Sequence, residues 1–162
     1  MEKILVFDMD GTIADFYNVE GWLEDLRAEN ARPYLEAKPI YDMAKLNGLL
    51  NLMKQDGWRI SVLSWMSKGE PSEEFKSAIR TAKRMWLKYY DFPVDEIHIV
   101  KYGTHKGSYA KNIRKGRNQD FQVLIDDEIR NVNGWHNGRA IEPNENLLMD
   151  LMGLYEEFYE GI

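Results

Sequence analysis

The chain has 162 residues, a formal net charge of −6 and no cysteine. This acidity argues against a general nucleic-acid coat protein, and the missing thiols exclude a disulfide framework or a thiolate metal site. A chain this long buries roughly 70% of its unfolded surface, enough for one domain with a sizeable core. Met1-Glu2-Lys3 leads straight into a strand, and no secretory signal or membrane span is visible, so a cytoplasmic protein is expected. Lys3 to Phe7 is short, apolar and β-rich, and reads as a buried strand. It runs into Asp8-Met9-Asp10-Gly11-Thr12. Asp8 and Asp10 share a face while the chain stays extended, and Gly11 lets it turn just beyond them.

Val19, Trp22, Leu23 and Leu26 then recur at helical spacing, and prolines between Asn30 and Pro39 break that helix. A second helix carries Met43, Leu46, Leu49, Leu50 and Met53 on one face and ends at Gly57. Arg59 to Trp65 is the second strand. Ser72 is a candidate N-cap for a long helix marked by Phe75, Ala78, Ile79, Ala82, Trp86 and Tyr89. Glu96 to Val100 is the third strand, and Thr104 is placed to cap a helix running to Gly116. Phe121 to Ile125 is the clearest strand, ending on Asp126-Asp127, and a short one follows at Arg139 to Ile141. The last helix holds Leu147, Leu148, Leu151, Met152, Leu154, Tyr155 and Phe158. This alternation predicts an α/β fold, a parallel sheet of five strands flanked by helices.

In a parallel sheet the strand ends meet at one edge. Asp8, Asp10, Ser64, Lys101 or Lys106, and Asp126 with Asp127 would gather there. Four carboxylates in one place repel one another without a cation, and a hard divalent ion with oxygen ligands, Mg²⁺, is the natural partner. A hydroxyl and an ammonium beside it complete a phosphoryl-transfer site in outline. Asp8 would attack phosphorus, and Asp10 would protonate the leaving oxygen and later deprotonate the hydrolytic water.

Asp8-Met9-Asp10-Gly11-Thr12, Ser64, a lysine and Asp126-Asp127 resemble, in order, the four motifs of the haloacid dehalogenase-like (HAD) superfamily. The resemblance implies a three-layer Rossmann-like HAD fold over 1–162 with a minimal helical cap at about residues 15–42. It also implies Asp8 as nucleophile, Asp10 as acid/base, and Thr12, Ser64 and the lysine as phosphate ligands. Mg²⁺ would be held by Asp8, the Asp10 carbonyl and the Asp126-Asp127 pair. Family lysines often start a helix, which favours Lys106 over Lys101. The run through Ile13-Ala14-Asp15-Phe16 is also similar to the opening of the 5'(3')-deoxyribonucleotidases, which usually carry valine in place of Thr12 and have a larger cap.

The expected activity is thus hydrolysis of a small phosphate ester, with a nucleotide as the leading substrate and a monomer or weak homodimer as the working form. Phe16, Trp22 and Trp65 are available to stack on a base or to pack the core. A polynucleotide-end phosphatase is a rival that the small cap and a basic cluster of Lys111, Arg114, Lys115 and Arg117 permit but the net charge does not favour, the cluster reading more readily as a solvated helix end. A phospho-acceptor signalling module is another, disfavoured because its paired acids come early in the chain. His98, His105 and His136 show no ligand spacing.

Overall fold

The structure, a computed structural model, describes residues 2–113 and 120–159. Arg114, Lys115 and Arg117, and the helix end expected at Gly116, lie outside the described residues. Five parallel strands, β1 (Lys3–Phe7), β2 (Trp58–Trp65), β3 (Glu96–Val100), β4 (Phe121–Ile125) and β5 (Gly138–Ile141), form one sheet in the order 3-2-1-4-5. The period-two alternation of β1 divides the core. Leu5 and Phe7 pack with Ile60, Val62, Val123 and Ile125 under α3 (Met43–Gln55) and α7 (Leu147–Glu157). Ile4 and Val6 face the other way, against Leu63, Leu124, Ala110, Ile113 and Trp135. The result is the five-stranded parallel sheet flanked by helices that the alternation predicted, in a three-layer, Rossmann-like arrangement. Among the described residues no helix is long and apolar enough to cross a membrane.

The remaining helices are α1 (Trp22–Arg27), α2 (Arg32–Glu36), α4 (Glu73–Tyr89), α5 (Lys106–Tyr109) and α6 (Ile129–Asn133). α4 begins where expected, with the Ser72 hydroxyl accepting from the Phe75 amide. Its outer half packs Phe75, Ile79 and Ala82 against Phe16, Tyr34 and Met66, while Trp86 and Leu87 enter the sheet core. The Trp86 indole donates to the Ala37 carbonyl at 2.7 Å. Glu29, in the loop between α1 and α2, accepts from both the amide and the hydroxyl of Ser72, at 2.9 and 2.8 Å.

Three local expectations change. α2 forms where the prolines were read as a break, because Pro33 sits in the first helical turn, where its missing N–H costs no hydrogen bond. The first predicted helix begins at Trp22 rather than Val19, after Gly21 in the left-handed region, and a 3₁₀ turn at Phe16–Asn18 precedes it. The cap of α5 is His105, whose ring nitrogen accepts from the Ser108 amide, whereas Thr104 donates to the Lys101 carbonyl.

Candidate active site

The strand order reverses between β1 and β4, so their carboxyl ends open the crevice where such sheets bind ligands. Phe7 pairs with Ile125, and the Asp8 amide donates to the Ile125 carbonyl at 2.9 Å. Asp8 and Asp126 therefore leave the sheet side by side. Gly11 makes the turn with φ of +81°, and a Cβ there would lie 2.4 Å from an Asp127 oxygen, so both the turn and the close approach require glycine.

The lysine that reaches the acids is Lys106, only 1% exposed, from the first turn of α5. Its Nζ lies 3.0 Å from Asp8 Oδ1 and 2.7 Å from Asp126 Oδ2. Burial works against this ammonium, but Asp8 and Asp126 outweigh it and hold its pKa above the ordinary lysine value. Lys101 is exposed. Asp126 is locked in place, its Oδ1 accepting from the Glu128 amide and its Oδ2 also from the Asn131 side chain.

Thr12 is fully buried and ties the two acidic loops together. Its hydroxyl lies 3.0 Å from both Asp8 Oδ2 and Asp127 Oδ1, able to donate to one at a time, and it accepts from the Asp127 amide. Ser64 is also fully buried. Thr12, Ser64 and Lys106 thus stand behind the carboxylates and do not line the adjoining cavity.

Lys83 was missed by the sequence reading. It is 0% exposed, and its Nζ reaches Asp10 Oδ2 at 3.0 Å, Ser64 Oγ at 2.6 Å and the Trp65 carbonyl at 2.9 Å. The Tyr34 ring lies 5.0 Å from the same ammonium. The available signal was position: Lys83 is one turn from Ile79 and from Trp86, on the apolar face of α4, where an unpaired lysine is not tolerated.

A cavity of about 440 Å³ opens above Asp8, Asp10, Asp126 and Asp127. Its wall is aromatic, with Phe16, Tyr17, Trp22, Tyr34, Trp65 and Tyr102. Phe16 is buried and stacks on Tyr34 and Trp22 as well as edging the cavity. The Trp65 indole donates to the Thr104 carbonyl at 3.0 Å, which fixes its ring against Tyr102.

Single oxygens of Asp8, Asp126 and Asp127 all lie within 4.8 Å of one another. The donors are carboxylates alone, which suits a hard divalent cation. Asp10 gives one carboxylate oxygen to Lys83 and stands outside that trio. The three clustered carboxylates share one buried ammonium, that of Lys106, an excess of negative charge that a divalent ion would offset. The group is thus a candidate divalent metal site.

Burial, together with the Asp8 charge, raises Asp126 from 3.8 to about 6 and Asp127 to about 7. The metal-free folded chain therefore keeps protons that the unfolded chain has already lost. That contribution to stability is complete below the unfolded pKa and disappears as pH rises through 6 to 7. A divalent ion displaces these protons and so stabilises most at high pH. Calorimetric melting with and without Mg²⁺ should show a larger metal-induced shift at about pH 8 than at about pH 5. The reverse order would remove these two acids from the metal site.

Fold and acid cluster together define a Rossmann-like α/β core with a candidate metal centre at its topological switch. Solved structures share this fold. One is the D,D-heptose 1,7-bisphosphate phosphatase from B. bronchiseptica, solved with magnesium and phosphate (TM-score 0.59, 13% identity, 96% of this chain and 99% of that one). A second is its counterpart from Burkholderia thailandensis (TM-score 0.54, 14% identity, 93% and 99%). A chain of the Pnkp1/Rnl/Hen1 RNA repair complex also matches (TM-score 0.60, 16% identity), and there 89% of this chain spans 43% of the other. At these identities the likeness is one of fold. No family model and no curated protein matches the sequence.

Proposed function

We propose that this protein is a Mg²⁺-dependent phosphomonoesterase that hydrolyses a small phosphate ester, a nucleotide by preference, through a phosphoaspartate on Asp8. The observation that carries the reading is the convergence of four carboxylates and two buried lysines at the floor of one cavity. The likeness to a phosphatase fold solved with magnesium and phosphate supports it.

In this reading Asp8, Asp126 and Asp127, with the Asp10 carbonyl, would hold the ion, which would offset the negative charge of the reacting groups. An Asp8 oxygen attacks phosphorus as the bond to the leaving oxygen breaks, and that oxygen takes a proton from Asp10. Asp10, now ionised, takes a proton from water. The water oxygen attacks phosphorus, and the bond to Asp8 breaks, freeing phosphate and restoring the carboxylate. Burial, with a further contribution from the Asp8 charge, holds the Asp10 carboxyl above the ordinary carboxylate range against the pull of Lys83, as an acid that must arrive protonated requires. Lys106 stabilises charge on nucleophile and phosphate.

The aromatic wall supports a nucleotide, since any base offers a face to stack on. We read residues 15–42 as a minimal cap on one hydrolase domain, and the enzyme as a cytoplasmic monomer or weak homodimer. One feature bears on a longer, polyanionic substrate: a groove of about 560 Å³ that shares Met66, Ser67, Glu70, Pro71 and Tyr102 with the cavity carries Arg80 and Lys101, while its third cation, Lys76, is paired with Glu73. Phosphate release should be assayed against mononucleotides, sugar phosphates and 3'-phosphorylated oligonucleotides. Activity is expected with Mg²⁺ and should be lost on chelation. Full turnover after exhaustive dialysis against a chelator would refute the metal role, and preference for the oligonucleotide would select the second reading.

A further inference from the structure

We infer that Lys83 is a positioning residue that aims the acid/base carboxylate of Asp10. The inference rests on the phosphomonoesterase reading and extends it to a residue on a different element from every site motif. Asp10 follows β1 at an isolated bridge to Ala14, just before the turn that begins at Gly11. Lys83 reaches it from α4, a helix anchored at both ends by Phe75, Ile79, Trp86 and Leu87. The ammonium has three protons, and three oxygens receive them: Asp10 Oδ2, Ser64 Oγ and the Trp65 carbonyl. With Oδ2 held, Oδ1 is the oxygen left to face the leaving group in the cavity that Asp10 lines. The same contact makes Ser64 an acceptor from Lys83, which directs the serine proton away from the ammonium. A lysine needed only to fill the core would be an expensive choice, since a buried ammonium is tolerated only when fully paired.

A mispositioned acid matters most where the leaving oxygen is a poor one. Alkyl phosphates need the proton, and 2,4-dinitrophenyl phosphate leaves without it. The test compares kcat/KM, which reports the phosphoryl-transfer step, for an alkyl phosphate and the dinitrophenyl ester. Lys83→Met is expected to lower the alkyl value about 100-fold, the lower range for general acid catalysis, and the dinitrophenyl value less than about tenfold. In an Asp10→Asn background the same substitution should add little to the alkyl loss, because the group it positions is gone. Equal losses on both esters, or full additivity with Asp10→Asn, would overturn the inference and leave Lys83 a packing residue. So would failure of Lys83→Met, Lys83→Gln and Lys83→Arg alike to yield folded protein by circular dichroism. A wild-type protein inactive on both esters would refute the phosphomonoesterase reading itself.

Discussion

Asp8→Asn is expected to turn over substrate roughly 10⁴-fold or more slowly than wild type, the scale for removing a covalent nucleophile. The fold should survive. An asparagine keeps an acceptor for Lys106 and places an amide against the Thr12 hydroxyl, which can accept it. It also removes one negative charge from beside Asp126 and Asp127, easing their mutual repulsion. Loss of activity without loss of melting temperature is therefore the expected signature. Fluoroberyllate or trapped phosphate should be found on Asp8 in the wild type, and label on Asp10 or Asp127 would show that the roles are misassigned.

Lys106→Ala should cost about 2–4 kcal/mol of transition-state stabilisation, the range for one well-placed charge-stabilising group. The lysine bridges Asp8 and Asp126, so its loss leaves two neighbouring carboxylates without their common counter-ion. Because that charge is present in every state of the reaction, KM should rise as well as kcat fall. Lys101→Ala should cost much less on a small ester, since Lys101 is exposed and lies toward the neighbouring groove. Steady-state kinetics on both variants, each confirmed folded, provide the check. An inactive Lys101→Ala beside a near-normal Lys106→Ala would move the phosphate-site lysine five residues earlier.

The strands were legible because buried parallel strands are written as short apolar runs with turn signals at their ends. β1, β3 and β4 fall where those runs place them. α2 was not legible, because a proline that ends one helix and a proline that begins the next look alike without the neighbouring turn. The acids at the ends of β1 and β4 stood out because carboxylates interrupt an apolar pattern at a sheet edge. Orientation did not. Nothing in residue type tells that the Thr12 and Ser64 hydroxyls turn toward the protein's own charged groups. Lys83 was hidden for a related reason. Its partner Asp10 lies 73 residues away, so the pairing that makes a buried lysine affordable exists only after folding.

The hydrogen bonds between Glu29, which lines the cavity, and Ser72 look at first like a minor tie. Yet Ser72 is also the N-cap of α4, and Lys83 lies eleven residues further along that helix, about 16 Å at helical rise. One rod thus carries the Glu29 contact at its tip and the partner of the acid partway down its length. A rigid shift of α4 would move Lys83 relative to Asp10, whereas a change confined to the Glu29 contact leaves the helix seated on the sheet core.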